Sequence, residues 1–81
     1  MKRNYFVYAL KSLVRNYIYV GLTYDLSGRV QRHNAGRERT TRPYLPFELI
    51  YSEEHADRIT ARIREKYLKS GTGKEFLKKL K

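Results

Sequence analysis

Apolar and aromatic positions near the amino terminus gather into two short runs, Asn4 to Lys11 and Asn16 to Thr23, both rich in Tyr, Val, Ile and Phe. Such runs read as strands, and so short a connection forces them into an antiparallel hairpin. With a turn centred between Leu13 and Val14, Tyr8 stands opposite Tyr19. Directly paired side chains share a sheet face, with Cβ atoms about 5 Å apart. Leu13-Val14 lacks the Asn-Gly chemistry of a tight hairpin, so the pattern leaves a one-residue slip open.

The period then changes. Asp25 is a good N-cap for a helix over Leu26 to Asn34, with Gly36 available to stop it. Leu26, Arg29, Val30 and His33 fall at i, i+3, i+4 and i+7, so a guanidinium and an imidazole interrupt the inward stripe. Buried polar groups need partners, which tyrosine hydroxyls or a bound phosphate would supply. Gly28 in mid-helix costs about 1 kcal/mol relative to Ala, a sign of close backbone approach or of a weak helix.

The segment from Gly36 to Pro43 has no periodicity and combines Arg37, Arg39 and Arg42 with two threonines, an exposed loop suited to phosphates. A third strand, Phe47 to Tyr51, puts Phe47, Leu49 and Tyr51 on one face. A second helix runs from about Ala56 to Ser70 and stops at Gly71. Thr72-Gly73-Lys74-Glu75 is a capping-box pattern for a terminal helix with Phe76, Leu77 and Leu80 on its apolar side and Lys78, Lys79 and Lys81 elsewhere.

Glu65 separates periodicity from chemistry. Ala56, Ile59, Ile63 and Tyr67 form one stripe and Glu65 lies nearly opposite, as a surface residue paired with Lys69 would. Alternatively the helix is apolar on two sides, with Ala61 and Leu68 flanking an inward Glu65 while the isoleucine stripe packs on the terminal helix.

Length and charge narrow the function. A chain of 81 residues makes one domain, residues 1–81, able to bury about 60 to 65 per cent of its unfolded surface. No apolar run nears the roughly 20 residues of a membrane span, and Met-Lys-Arg leads directly into a strand without a signal-peptide pattern, so a soluble, cytoplasmic protein away from membranes is expected. The lack of cysteine excludes disulfides and thiolate metal sites, and two histidines are too few for a conventional zinc site. Eighteen Lys and Arg against eight Asp and Glu give a net charge of +10, which favours a polyanion. Eight tyrosines tilt this towards nucleic acid.

In order and at suitable spacing, the chain carries Val7-Tyr8, Tyr19-Val20-Gly21, Asp25-Leu26, Arg29, His33-Asn34, Pro46-Phe47-Glu48-Leu49 with Tyr51, and Arg64-Glu65-Lys66 with Leu68-Lys69-Ser70. This set resembles the GIY-YIG nuclease superfamily, most closely its small stand-alone members related to the amino-terminal nuclease domain of the excision-repair incision subunit. Phe6, Val7 and Val20 depart from the motif letters but keep strand character. The asparagine found near the carboxyl end of many catalytic members has no match around Gly71 to Glu75.

The resemblance implies an α+β fold, a three-stranded antiparallel sheet flanked by helices, and a metal-dependent endonuclease acting on DNA in repair or processing, with RNA left open. By carry-over, Tyr8 and Tyr19 match the motif tyrosines, Arg29 the phosphate-facing arginine, His33 its helix neighbour and Glu65 the metal-binding glutamate, for Mg²⁺ or Mn²⁺. One hard carboxylate suits such an ion, and Arg29 supplies fixed positive charge where negative charge grows. A phenol of ordinary pKa near 10 needs help to act as a base at neutral pH. Tyr8 is favoured for that role with Tyr19 orienting it, the reverse remaining open. Arg32, Arg37, Arg39, Arg42, Lys69 and Lys74 are expected to face the nucleic-acid backbone. The rivals are a non-catalytic nucleic-acid-binding module of the same fold and an interaction domain using Ile59, Ile63 and Tyr67 in a homodimer or larger repair complex.

Overall fold

In the computed structural model, residues 4–80 are described; Met1 to Arg3 and Lys81 lie outside them, and with them the expectations placed on those positions. The chain runs β1 (Tyr5–Ser12), β2 (Ile18–Thr23), α1 (Leu26–Asn34), a 3-10 turn (Arg42–Tyr44), β3 (Phe47–His55), α2 (Arg58–Lys69) and α3 (Gly71–Lys78). The three strands form one antiparallel sheet in the order β2-β1-β3, giving an α+β fold with helices on both faces.

The hairpin register differs from the expected one. Tyr8 pairs with Gly21, and Tyr19 with Leu10. Ser12 is the cause: its Oγ accepts from Val14 N at 3.2 Å and Arg15 N at 3.0 Å, while its own N–H donates to Tyr17 O at 3.0 Å. The serine closes the loop in place of Asn-Gly chemistry and moves the turn centre one residue along. Each cross-strand partner therefore shifts by two positions, which keeps Tyr8 and Tyr19 on one face because side chains alternate with period two.

Alternation sorts the sheet into two layers. Tyr8, Leu10 and Phe47 face α1 and the 3-10 turn, joined by Tyr17, Tyr19, Leu26, Val30, Tyr44 and Leu45. Val7, Ala9 and Val20 face the other way, onto Ala61, Leu68 and Leu77 of α2 and α3. β3 extends four residues beyond the expected Tyr51, and a register shift between Ala9 and Leu10 breaks its alternation. Phe47 thus lies in the α1 layer and Tyr51 in the α2 layer, not on the common face expected of an unbulged strand.

Helix α1 has the expected bounds, with Asp25 accepting from Gly28 N at 3.1 Å and Gly36 at φ +75 ending the segment in the left-handed region. A Cβ on Gly28 would lie 2.8 Å from the Asp25 carboxyl carbon, so close approach explains the mid-helix glycine. Asn34 pins the end of α1 to β3, accepting from Phe47 N at 2.6 Å and donating to Phe47 O at 3.2 Å.

Helix α2 begins two residues later than expected because Asp57 caps it, accepting from Thr60 N at 2.8 Å. Its buried face is Ala61, Glu65 and Leu68; Ile59 and Ile63 are 76% and 66% exposed, so the isoleucine stripe packs on neither the sheet nor α3. The elbow explains this. Ser70 Oγ donates to Tyr67 O at 2.6 Å and accepts from Gly73 N, so it caps α3 in place of the expected Thr72. Gly73 then seats against the last turn of α2, where a Cβ would meet Leu68 Cα at 2.5 Å, and α3 swings away from the isoleucines.

Candidate active site

The α1 layer holds an unusually polar core. Tyr8 is wholly buried and its hydroxyl is 3.1 Å from His33 Nε2. His33, 1% exposed, reaches Thr41 Oγ1 with its other nitrogen at 2.8 Å, and Thr41 is itself fully buried. The Tyr19 ring lies 4.9 Å from the His33 ring and 6.2 Å from that of Tyr8. These contacts follow from sequence. Tyr8 lies over β2 because its partner there is Gly21, where a Cβ would stand 2.5 Å from Tyr8 Cζ, and His33 points inward from the i+7 position of α1.

Burial pushes the Tyr8 phenol well above its ordinary pKa near 10, reinforced by Tyr19, while the positive charge of Arg29 acts against it. Arg29 therefore belongs to this cluster. Burial likewise holds His33 below its ordinary value of 6.5, partly offset by Glu38. The imidazole is neutral at pH 7.

Arg29 also lines a cleft of about 340 Å³ with Tyr5, Leu22, Thr23, Tyr24 and Arg58. The residues come from both sides of the sheet: Arg29 from α1, Arg58 from the start of α2. Sequence reasoning did not single out Arg58, an exposed arginine on a polar helix face with no distinguishing signal. Glu65 is 7% exposed and its carboxylate meets Lys69 Nζ at 3.1 Å and Arg62 Nη1 at 3.7 Å. It sits on the α2 side of the sheet, seven residues from Arg58, about 10 Å along the helix axis. Among the described residues no hydrogen bond or ion pair joins it to Tyr8, Tyr19 or His33.

Several expected phosphate-facing cations have other partners. Lys74 Nζ donates to Ile18 O at 2.5 Å and is partly buried. Lys69 holds Glu65, Arg32 Nε pairs with Glu38 at 2.9 Å, and Arg42 Nε donates to Gly36 O at 2.8 Å. Arg37 and Arg39 are exposed. The loop carrying them is not wholly solvated as its composition suggested, since Thr41 turns inward to His33.

Among the described residues no group of three or more His, Cys, Asp or Glu is placed to hold a metal ion. A hard ion of the Mg²⁺ type keeps several waters and commonly uses one or two carboxylates together with substrate phosphate; Glu65 offers one such carboxylate, whose oxygens face Lys69 and Arg62 here.

The GIY-YIG catalytic domain model matches residues 4–81, and the chain belongs to that family, whose members are nuclease-type and generally divalent-metal dependent. It is similar to a UPF0213 protein of Bacillus pumilus (strain SAFR-032), 36% identical over 75 residues that cover 91% of this chain and 76% of that one. A UPF0213 protein of Streptococcus sanguinis (strain SK36) is 38% identical over 56 residues, 68% of this chain and 64% of that relative's length. The solution NMR structure of a UPF0213 protein from Bacillus halodurans superposes with a TM-score of 0.57 at 31% identity, covering 96% of this chain and 85% of that one. Among the described residues no helix is long and apolar enough to cross a membrane.

Proposed function

We propose that the chain is a metal-dependent endonuclease that hydrolyses DNA phosphodiester bonds in repair or processing. The observation that carries this reading is the polar core of the α1 layer, where two phenols, an imidazole and a guanidinium matching the family's motif positions occupy space an ordinary small domain fills with aliphatic side chains. The backbone of the substrate runs along the margin made by β2 and α2, past Arg29 and Arg58 and on to Glu65.

Arg29 and Arg58 bind the phosphate from two elements, and Arg29 places fixed positive charge where the transition state gains negative charge. Tyr19, only partly buried, is the phenol that orients the attacking water and serves as general base. Tyr8, sealed from solvent, is its buried support, the reverse of the role its motif position first suggested. Glu65, positioned by Lys69 and Arg62, would hold the divalent ion. When bound, that ion polarises the phosphate and stabilises the departing oxygen.

The test is cleavage of a labelled DNA panel with Mg²⁺ or Mn²⁺, alongside anisotropy binding. Glu65→Gln and Arg29→Ala should each lose at least a hundredfold in cleavage, with Glu65→Gln binding DNA as the parent does. Tight binding by the parent with no cleavage under either metal would instead establish a non-catalytic nucleic-acid-binding module.

A further inference from the structure

Thr41, His33 and Tyr8 form a buried chain of polar contacts, with the Arg29 charge acting on its Tyr8 end. At one end, Thr41 Oγ1 stands 3.4 Å from Glu38 O, a carbonyl that can only accept, and 2.8 Å from His33 Nδ1. At the other, Tyr8 is wholly buried, and the Arg29 guanidinium whose charge acts on its oxygen offers donors only. With Thr41 donating to Glu38 O, His33 Nδ1–H donates to Thr41, and the bare Nε2 takes the phenol proton, 3.1 Å away. Only one arrangement gives every hydrogen in the chain an acceptor. Thr41 donates to Glu38 O, His33 Nδ1–H donates to Thr41, and Tyr8 O–H donates to His33 Nε2, leaving the phenol lone pairs to the Arg29 charge. The opposite tautomer would point Nε2–H at the phenol oxygen and strand the Tyr8 hydroxyl proton inside a fully buried site, at a cost of about 1–3 kcal/mol.

We propose that Thr41 is a positioning residue: it fixes His33 in the Nδ1–H tautomer, which turns the Tyr8 lone pairs towards Arg29 and so aims the guanidinium at the substrate phosphate. Thr41 touches no reacting atom. It acts through three side chains, from a loop that otherwise looks built only for phosphate contact. The final step, at the phosphate, rests on the nuclease reading above; the tautomer does not.

The experiment reads the two apart. Two-bond ¹H–¹⁵N correlation spectra of the ¹⁵N-labelled protein near pH 7.5 report which ring nitrogen of His33 carries the proton, with His33→Gln providing the assignment. The parent should show a protonated Nδ1 and a bare Nε2. Thr41→Ser should preserve that pattern, whereas Thr41→Val should move it towards Nε2–H. Cleavage should follow, with kcat down about tenfold to a hundredfold in Thr41→Val, KM little changed, and Thr41→Ser within about threefold of the parent. A protonated Nε2 in the parent overturns the proposal even if Thr41→Val fails to fold. So does a folded Thr41→Val with unchanged ring shifts. A preparation that cleaves nothing but shows the Nδ1–H tautomer overturns the nuclease reading alone.

Discussion

Replacing Gly21 with alanine should strike the candidate site through sterics alone. The new methyl would stand 2.5 Å from Tyr8 Cζ and 2.9 Å from Tyr19 Cε2, well inside van der Waals contact. Tyr19 has room to yield at the surface; Tyr8 is sealed on all sides and has none. Forcing extra volume into such a core costs about 1–3 kcal/mol, and tearing the Tyr8 hydroxyl from His33 costs about another 1–3 kcal/mol because both groups stay buried. The sum, about 2–6 kcal/mol, corresponds in a domain of this size to a Tm fall on the order of 10 °C or more. Differential scanning calorimetry on Gly21→Ala, Tyr8→Leu and the double variant completes the cycle. In the Tyr8→Leu background the alanine should be nearly harmless, since its main obstacle is gone and alanine is otherwise about 0.5–1 kcal/mol better than glycine within a strand. A Gly21→Ala protein melting within 3 °C of the parent, roughly half a kcal/mol, would refute the reasoning. An equal penalty in both backgrounds would place the clash elsewhere.

His33 gives stability a pH dependence. Its folded pKa lies below the unfolded value near 6.5, so its contribution is complete above that pH and is lost as pH falls below it, where the unfolded chain takes up a proton the folded one refuses. Urea midpoints measured at pH 7.5 and 5.5 should therefore drop more for the parent than for His33→Gln, and equal drops would reject the assignment. Gly73→Ala should destabilise by about 1–3 kcal/mol, because its Cβ meets the backbone of Leu68, whereas Gly71→Ala, with nothing within 4 Å, should be neutral or slightly stabilising. Hydrogen exchange across α3 separates the two: loss of protection is expected only in the former.

Sequence was most informative where one local signal was enough. Asp25, the 3.6-residue period and Gly36 together fix α1, so the inward aim of Arg29 and His33 was readable before any coordinates. That Tyr8 and Tyr19 share a face was also readable, because a change in the hairpin turn moved partners by an even number of residues. Harder to read were features set by a side chain folding back on the backbone. Ser12 closes the hairpin, Ser70 makes the α2–α3 elbow, and a bulge sends Tyr51 to the opposite face from Phe47. Thr41 escaped notice because its loop has no period to give it a direction. The clue was indirect: an inward His33 demands a partner for each ring nitrogen, and the tyrosines could satisfy only one.

Lys74 has a consequence beyond the chemistry of the site. β2 is an outer strand, and an outer strand with bare carbonyls is a template on which a second molecule can extend the sheet. By planting its amine on Ile18 O, Lys74 plugs one of those carbonyls with a positive charge that no incoming β-strand can replace. The lysine thus shortens the stretch of β2 on which another chain could build.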